Sequence, residues 1–249
     1  MGLALNEQAI KDHFLNWIGS MNSLRPVNKF YNANPFSSLP VIAGFPGAKL
    51  KYMRWGLVPE WWSSSNLPQN TATATTNKIL QKRALRKPIR TQRCIVPASY
   101  YLTWHDDAPF LCFLEETHLF GLAAVFDCFK PNKYDLPLTS SCVLMAPADQ
   151  RMQPMGKEMP LILSPESYRS WLSNETSIDE VAKIMNSNFG LRNAYPIASK
   201  AYDSSFNSKE VYKPIGHRLH RKFKRVPAKT EIDRRGREKV IEWKNVYVD

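Results

Sequence analysis

Apolar residues recur at helical spacing in the first part of the chain. Between residues 7 and 21 they fall three or four positions apart, on one face of a helix: Ala9, Ile10, Phe14, Trp17, Ile18 and Met21. We predict an amphipathic helix packed on a core, with Asn6 as its N-cap. Two later segments carry helix start signals. Ser164-Pro165 places serine at the cap and proline at the first helical position, and Ser177-x-x-Glu180 is a capping box.

Most of the remaining apolar residues occur in short runs between turns, which is typical of strands. The runs cover residues 41–45, 50–57, 94–97, 100–104, 110–114, 119–126, 141–146 and 195–197. Residues 24–40 and 63–76 predict loops, and the basic residues 78–87 predict a short helix that ends at Pro88. Many short strands with few helices predict an α+β fold with a mainly antiparallel core.

The stretch Arg54–Trp62 concentrates three of the chain's seven tryptophans. Its first half continues a strand pattern, which Gly56 and Pro59 then interrupt, because glycine weakens a strand and proline cannot donate to its ladder. Trp61 and Trp62 therefore fall on a loop. Two interpretations follow: both rings fold back onto the core, or at least one lines a site where a flat ligand such as a nucleobase can stack.

The character of the sequence changes near the C-terminus. Residues 217–225 hold five Lys/Arg. Beyond them, residues 230–232 and 240–243 flank a turn at residues 234–237, which predicts a hairpin.

Length and composition are those of a folded protein with one large domain or two small ones. The chain has 249 residues, of which 43% are hydrophobic and 22% charged. It contains no run of 18 apolar residues and no signal-like N-terminus, and Asn6 argues against myristoylation of Gly2. We therefore expect no membrane association and a cytoplasmic location.

The net charge favours a polyanionic partner. It is +12, with an isoelectric point of about 9.6. The excess is uneven, since residues 213–239 hold eleven Lys/Arg against three Asp/Glu.

Common catalytic and ligand-binding motifs are absent. The sequence has no phosphate loop, no G-x-G-x-x-G, no H-E-x-x-H and no EF-hand spacing. The four cysteines lie among apolar neighbours without a C-x-x-C pair, which predicts free thiols and no zinc: Cys94, Cys112, Cys128 and Cys142. His217 and His220 lack a third metal ligand nearby, and residues 105–107 predict a polar turn rather than an acid/base pair. We expect neither a metal nor a cofactor.

Five strings resemble the SOS-response-associated peptidase (SRAP) family, which senses abasic sites in single-stranded DNA. Tyr-Asn-Ala-Asn-Pro at residues 31–35 is similar to R-Y-N-x-A-P, and Arg54–Trp62 is similar to W-G-x-x-P-x-W-W. Residues 93–98 resemble R-C-L-V-P-A, residues 159–163 resemble M-P-x-I-L, and residues 195–200 resemble Y-P-V-S-x-x. Their order and spacing match as well.

The resemblance covers residues 1–215 and implies a barrel-like core of mainly antiparallel strands with a few peripheral helices. Residues 216–249 lie outside it and form a basic extension. Single-stranded DNA is the partner that the resemblance implies.

The family's covalent chemistry is not matched in this chain. Members begin Met-Cys-Gly-Arg, and the freed cysteine's amine and thiol condense with the aldehyde of an abasic site to a thiazolidine. A glutamate in F-x-E-W and a histidine in H-x-R-M-P assist. Here Gly2 replaces the cysteine, Thr103 the glutamate and Gly156 the histidine. Glycine offers no nucleophilic side chain and threonine does not titrate near neutral pH, so the resemblance implies a member without cross-linking or self-processing.

One element of the family aligns in two ways. Its N-A-R-x-E-T loop falls within residues 70–78. A gapless count places its asparagine on Thr73, its arginine on Thr75 and its glutamate on Asn77, whereas a small gap restores Asn70.

Three hypotheses follow for the function. In the first, the chain binds single-stranded DNA, with Trp61 and Trp62 stacking on bases and Asn70 in the site. Cationic side chains would contact the backbone: Arg54, Lys82, Arg86, Arg93 and Lys200, with Arg221, Lys222, Lys224 and Arg225 as an added patch. Alternatively these charges are a solvated surface, and the fold is a scaffold for an unknown protein partner. In the third, an enzyme remains, either through unidentified residues or through a Gly2 amine that forms a reversible imine with an aldehyde.

Overall fold

In the computed structural model the described residues are 7–19, 21–23, 29–64, 66–77, 79–130, 132, 136–187, 189–203, 205–220, 222–232 and 238–248. The helices are α1 (Glu7–Ile18), α2 (Arg83–Arg86), α3 (Pro88–Thr91), α4 (Tyr168–Leu172) and α5 (Ile178–Met185). The strands are β1 (Met21–Ser23), β2 (Ser38–Ala43), β3 (Ala48–Trp55), β4 (Thr73–Thr75), β5 (Arg93–Ala98), β6 (Tyr101–His105), β7 (Ala108–Leu114), β8 (Phe120–Phe129), β9 (Leu138–Pro147), β10 (Glu158–Pro160), β11 (Ile162–Leu163), β12 (Arg192–Pro196), β13 (Lys222–Ile232) and β14 (Glu238–Val248).

A ring of strand pairings forms the centre of the fold. β3, β2, β5, β8 and β9 pair antiparallel in that order, and β9 pairs back with β3 in parallel. The closing contact is short, since only Arg54 with Ser140 and Trp55 with Ser141 are in register there. The Gly56 N–H then donates to the Ser141 oxygen at 2.8 Å. These pairings confirm an α+β fold with a mainly antiparallel, barrel-like core.

β3 and β4 pair with the same edge of β9, one after the other along that strand. Residues 73–75 pair in parallel with residues 143–145. The loop over residues 56–72 therefore begins and ends on the same edge of β9. The sequence pattern predicted a loop through residue 76, which is wrong at β4, because this Thr-Ala-Thr string owes its strand geometry to backbone pairing with β9 and not to an apolar pattern.

The barrel strands bury both of their faces. On β5, Cys94 and Val96 belong to one core and Ile95 belongs to the other. Helices α1, α4 and α5 pack on the core that contains Ile95, and a second sheet of β12, β7 and β6 packs on the other. Two buried faces explain why these strands appear in the sequence as continuous apolar runs.

The first helix is shorter than its apolar pattern predicts. Phe14 is buried as expected, but α1 ends at Ile18 because Gly19 adopts a left-handed φ of +82°. The Gly19 N–H donates to the Leu15 oxygen at 2.8 Å, which closes the last turn. Met21 therefore lies in β1, which pairs in parallel with β3.

The helix start signals are followed in part. The Ser177 hydroxyl accepts a hydrogen bond from the Glu180 N–H at 3.2 Å, as the capping box predicts. Ser164 makes no side-chain cap bond, and Pro165 begins a short 3-10 turn before α4 starts at Tyr168.

Within residues 78–87 the α-helical part is Arg83–Arg86, which ends before Pro88 as predicted, and Pro88 then begins α3 because its fixed φ suits a first helical position. The predicted cap at Asn6 lies outside the described residues.

The second sheet contains a tight hairpin between β6 and β7. The chain after β12 also forms backbone hydrogen bonds with this sheet. Asp106 and Asp107 join β6 to β7 with φ of +47° and +57°, a two-residue turn, so residues 105–107 form the expected polar turn. After β12, the Ile215 N–H donates to the Pro196 oxygen at 3.0 Å. The backbone stays on this sheet as far as His220.

The C-terminal strands β13 and β14 pair antiparallel as a two-stranded sheet of their own. The turn predicted at residues 234–237 lies outside the described residues. Within the part of the chain that the structure describes, no helix is long and apolar enough to cross a membrane.

Arg93 is a structural residue and not a DNA contact. Its side chain is only 2% exposed. Its guanidinium donates to backbone oxygens at two helix ends: Ile89 at 2.8 Å, Arg90 at 2.6 Å, Trp171 at 2.7 Å, and Ser173. These carbonyls lack partners within their own helices. Burial and these bonds contradict the prediction that Arg93 binds the DNA backbone, because four of its five guanidinium N–H groups already donate to backbone oxygens.

We expect Arg93→Met to destabilise the fold strongly. Methionine keeps the apolar stem but leaves buried carbonyl oxygens without donors, so the free energy of unfolding in urea should fall by about 3 kcal/mol. Arg90→Met is the matched control, because the Arg90 side chain is exposed and its loss should cost less than about 0.5 kcal/mol. Similar losses for the two variants would contradict the structural role.

Candidate functional site

A pocket of about 530 Å³ lies where the closing edge of the barrel meets the second sheet. Its wall is formed by residues 32–36, the end of β3, residues 70, 72 and 73, and parts of β6, β9 and β10. We call it the aromatic pocket. Small-molecule sites in proteins commonly have volumes of about 300–1,000 Å³, so the pocket can enclose a ligand the size of a nucleoside.

Several of its walls are aromatic. Trp55 and Tyr101 are buried, and the Trp55 Nε1–H donates to the Ala72 oxygen at 2.8 Å, which ties β3 to the returning loop. Trp104 is 47% exposed, and its ring centroid lies 5.9 Å from that of Tyr202. The pocket wall therefore combines buried aromatic side chains with an exposed one.

Two residues of the wall have an uncommon backbone conformation. Phe36 has a φ of +72° and Asn70 a φ of +56°. Left-handed non-glycine residues cost free energy and cluster at functional sites. Gly56 makes room for the Phe36 ring, since a Cβ there would lie 2.8 Å from it. The Arg54 guanidinium lies 4.5 Å from the centroid of the same ring and donates to the Gly56 oxygen, and burial lowers the Arg54 pKa.

The polar part of the wall contains some of the predicted site residues. Asn70, Thr73 and Thr103 all line the pocket, so both alignments of the N-A-R-x-E-T loop place a residue there. Gly156 is not part of the lining, and Gly2 lies outside the described residues. The one charged side chain among the described lining residues is Glu158.

The sequence analysis gave no site role to Trp104, Glu158 or Phe36, although motif positions could have found the first two. Trp104 follows Thr103 as tryptophan follows glutamate in F-x-E-W, and Glu158 stands at the arginine position of H-x-R-M-P. Phe36 had no sequence signal, because its place in the wall depends on its left-handed φ.

A second depression surrounds Trp61. It has a volume of about 400 Å³, and we call it the Trp61 groove after the residues that line it: Glu60, Trp61, Arg83, Ala84, Arg86, Lys87, Pro88, Arg90, Thr91 and Asp127. Four of these side chains are cationic and two are anionic. Trp61 is 42% exposed and the Arg83 guanidinium lies 4.2 Å from its ring centroid. The groove thus combines an exposed aromatic face with an excess of positive charge.

The loop that carries Trp61 is held to the barrel by backbone donors. The Val58 N–H donates to the Ser140 hydroxyl at 2.8 Å, and the Glu60 N–H donates to Asp127 Oδ2 at 2.9 Å. Glu60 also pairs with Lys87, and this hydrogen bond raises the Lys87 pKa. Trp61 is therefore exposed on an anchored loop.

The first interpretation of the tryptophan pair, that both rings fold onto the core, is wrong. Trp61 is exposed and lines the Trp61 groove, and Trp62 is half-buried, with its Nε1–H donating to the Asn66 oxygen at 3.0 Å. The two ring centroids lie 6.2 Å apart, and neither ring lines the aromatic pocket. Stacking of a flat ligand on one of the rings stays a prediction.

The predicted cations are also dispersed. Arg86 lines the Trp61 groove, and Lys82 is exposed just before α2. Arg54 backs the aromatic pocket, while Lys200 lies 5.9 Å from the Phe206 ring, outside the linings of the pocket and the groove. The side chains of the tail cations Arg221, Lys222, Lys224 and Arg225 are not described.

A family model and individual related proteins assign this chain to the same family. A family model described as SOS response associated peptidase (SRAP) matches residues 1–202. The chain is 23% identical over 189 residues to the abasic site processing protein YoqW of Bacillus subtilis (strain 168), covering 73% of this chain and 84% of that protein. It is 24% identical over 229 residues to the abasic site processing protein HMCES of Rattus norvegicus, covering 74% and 64%.

Solved structures show the same fold. A protein from Bacteroides thetaiotaomicron superposes with a TM-score of 0.66 at 22% identity, covering 72% of this chain and 82% of that one. A protein from Bordetella bronchiseptica gives 0.66 at 18% identity, covering 79% and 98%.

The described part of the pocket contains no cysteine or histidine. Cys94, Cys112 and Cys142 are buried free thiols. Burial raises the pKa of Cys112 and of Cys142 to about 12 and raises that of Cys94 further. Burial lowers the pKa of His13, which lies beside Tyr168. No cluster of three or more metal-ligating side chains occurs among the residues that the structure describes.

We expect the thiols to react very unequally. A raised pKa leaves less thiolate at a given pH, so at pH 8 the three buried thiols should resist iodoacetamide in the folded protein. Cys128, which is half-exposed, should be alkylated first. Peptide mass spectrometry would measure the rates, with labelling in urea as the control, where all four should react alike. Rapid native labelling of Cys94 would contradict this.

Proposed function

The chain belongs to the SOS response associated peptidase family, and from that membership we propose that it binds single-stranded DNA, including strands with abasic sites, without the family's thiazolidine cross-link or self-processing. The relatives named above are abasic site processing proteins. The observation that carries the proposal is the Trp61 groove, in which an exposed tryptophan lies against an arginine and among further cations.

The groove has the two features that unspecific single-strand binding requires. Bases of any sequence can stack on an aromatic face, at about 1–3 kcal/mol per base. Phosphates are neutralised by arginine and lysine, with release of counterions. Arg83, Arg86 and Arg90 lie along two successive short helices beside Trp61, and they can follow a backbone that passes over the ring.

The two depressions can be served by one strand of DNA. The loop over residues 56–72 connects them. It follows Trp55 in the pocket wall, carries Trp61 in the groove, and comes back to the pocket wall at Asn70. On β9, Ser140 anchors the loop and Met145 lines the pocket, so one barrel strand supports both depressions. A DNA strand held in the groove would continue to the pocket and present one nucleotide there.

The proposed loss of covalent chemistry is supported by Gly2, which replaces the family's cysteine in the sequence, and by the side chains of the pocket. Thr103 lines it where the family's glutamate stands, and threonine neither donates nor accepts a proton at neutral pH. The described lining also contains no thiol or imidazole. The buried thiols further support a reducing compartment such as the cytoplasm.

We expect Trp61→Ala to weaken binding of a fluorescent single-stranded oligonucleotide by about 5- to 100-fold, because one stacked base is lost. Fluorescence anisotropy across salt concentrations measures this. Arg83→Ala should lower the slope of log affinity against log salt by about 0.7, the value for one phosphate on a single strand. Lys183→Ala, an exposed cation on α5, is the matched control and should change neither.

The same titration distinguishes the other functions. Absence of binding at low salt would sink the proposal and favour a scaffold for a protein partner. A covalent or strongly preferred complex with abasic DNA would favour a retained enzyme. Salt-sensitive binding that Trp61→Ala weakens is the expected result.

A further inference from the structure

The aromatic pocket is shaped and charged for an intact nucleobase. We infer that it accepts an unpaired base with an exocyclic amino group, cytosine above thymine, and that Glu158 accepts the hydrogen bond from that group. The inference rests on the proposed binding of single-stranded DNA and specifies which nucleotide enters the pocket.

The first argument is the material of the wall. Trp55, Tyr101, Trp104 and Phe36 present aromatic surface to the pocket. An abasic deoxyribose has no ring system to stack on them, whereas any base does. A volume of about 530 Å³ holds a base with its sugar and some water. The wall is therefore more complementary to a nucleobase than to an abasic deoxyribose.

The second argument is the sign of the charge. Glu158 is the one charged side chain among the described lining residues, and it stands where the string H-x-R-M-P has arginine. An arginine there would attract a phosphate, whereas a carboxylate repels one and leaves the pocket to a neutral group. An ionised carboxylate only accepts hydrogen bonds, so its partner must be a donor.

The third argument is the pattern of donors on the bases. Carboxylates accept from the cytosine amino group, while thymine presents a carbonyl oxygen at the corresponding position. An oxygen facing Glu158 would place two acceptors together, which is unfavourable. Asn70 and Thr103 supply amide and hydroxyl groups for the rest of the base edge. Asn70 lines the pocket and has a left-handed backbone conformation.

The test uses oligothymidine strands that differ at one central nucleotide: thymidine, deoxycytidine or a tetrahydrofuran abasic analogue. Anisotropy should show the cytosine strand binding about 5- to 100-fold more tightly than the thymine strand, and more tightly than the abasic strand. Glu158→Gln should abolish the difference, because glutamine both donates and accepts. Glu175→Gln, an exposed carboxylate elsewhere, should preserve it.

Three outcomes would overturn the inference while leaving DNA binding intact. These are equal affinity for cytosine and thymine, tighter binding of the abasic strand, or a Glu158→Gln variant that gains affinity equally for all strands, as simple removal of a negative charge would produce. If no strand binds, free deoxycytidine and thymidine provide the same comparison by ligand-observed NMR. A Glu158-dependent preference for deoxycytidine would then support the pocket on its own, and its absence would refute it.

Discussion

The fold depends on two residue pairs that join β3 to β9. Arg54 with Ser140 and Trp55 with Ser141 turn an open, winding sheet into a ring. The same pairs fix both candidate sites, because Trp55 continues into the pocket wall and the chain leaves for the Trp61 groove at the next residue. A strand edge left open here would expose unpaired backbone groups and would also remove the support of both sites.

The sequence predicted the large elements well, because they bury both faces and carry continuous apolar runs. The sequence did not predict elements whose backbone conformation depends on contacts with residues distant along the chain. β4 is polar and exists through its pairing with β9, and the left-handed Phe36 depends on the space that Gly56 leaves. Arg93 shows the opposite error. An arginine in a motif suggested a surface contact, but only the fold shows that two helix ends converge on it.

The arrangement of the candidate site could not be predicted from the motifs. Asn70, Thr73 and Thr103 line one pocket, whereas Gly156 lies outside that lining. Trp61, which lies six residues after Trp55, belongs to a different depression with its own chemistry. A contiguous signature therefore encodes two surfaces, one enclosed and carrying a carboxylate, the other open and cationic. The two surfaces therefore differ in the sign of their net charge, although they are encoded by one short segment.

The loop over residues 56–72 joins β3 to β4, and both of these strands pair with the same edge of β9. Because the barrel fixes both of its ends, its length is nearly independent of the rest of the fold, and even a doubling would cost only about 0.6 kcal/mol in closure entropy. Insertions and deletions between Trp62 and Asn70 are thus tolerable without any shift of the pocket. The segment between Trp62 and Asn70 can therefore vary in length and sequence while the barrel keeps the residues of the pocket wall in place.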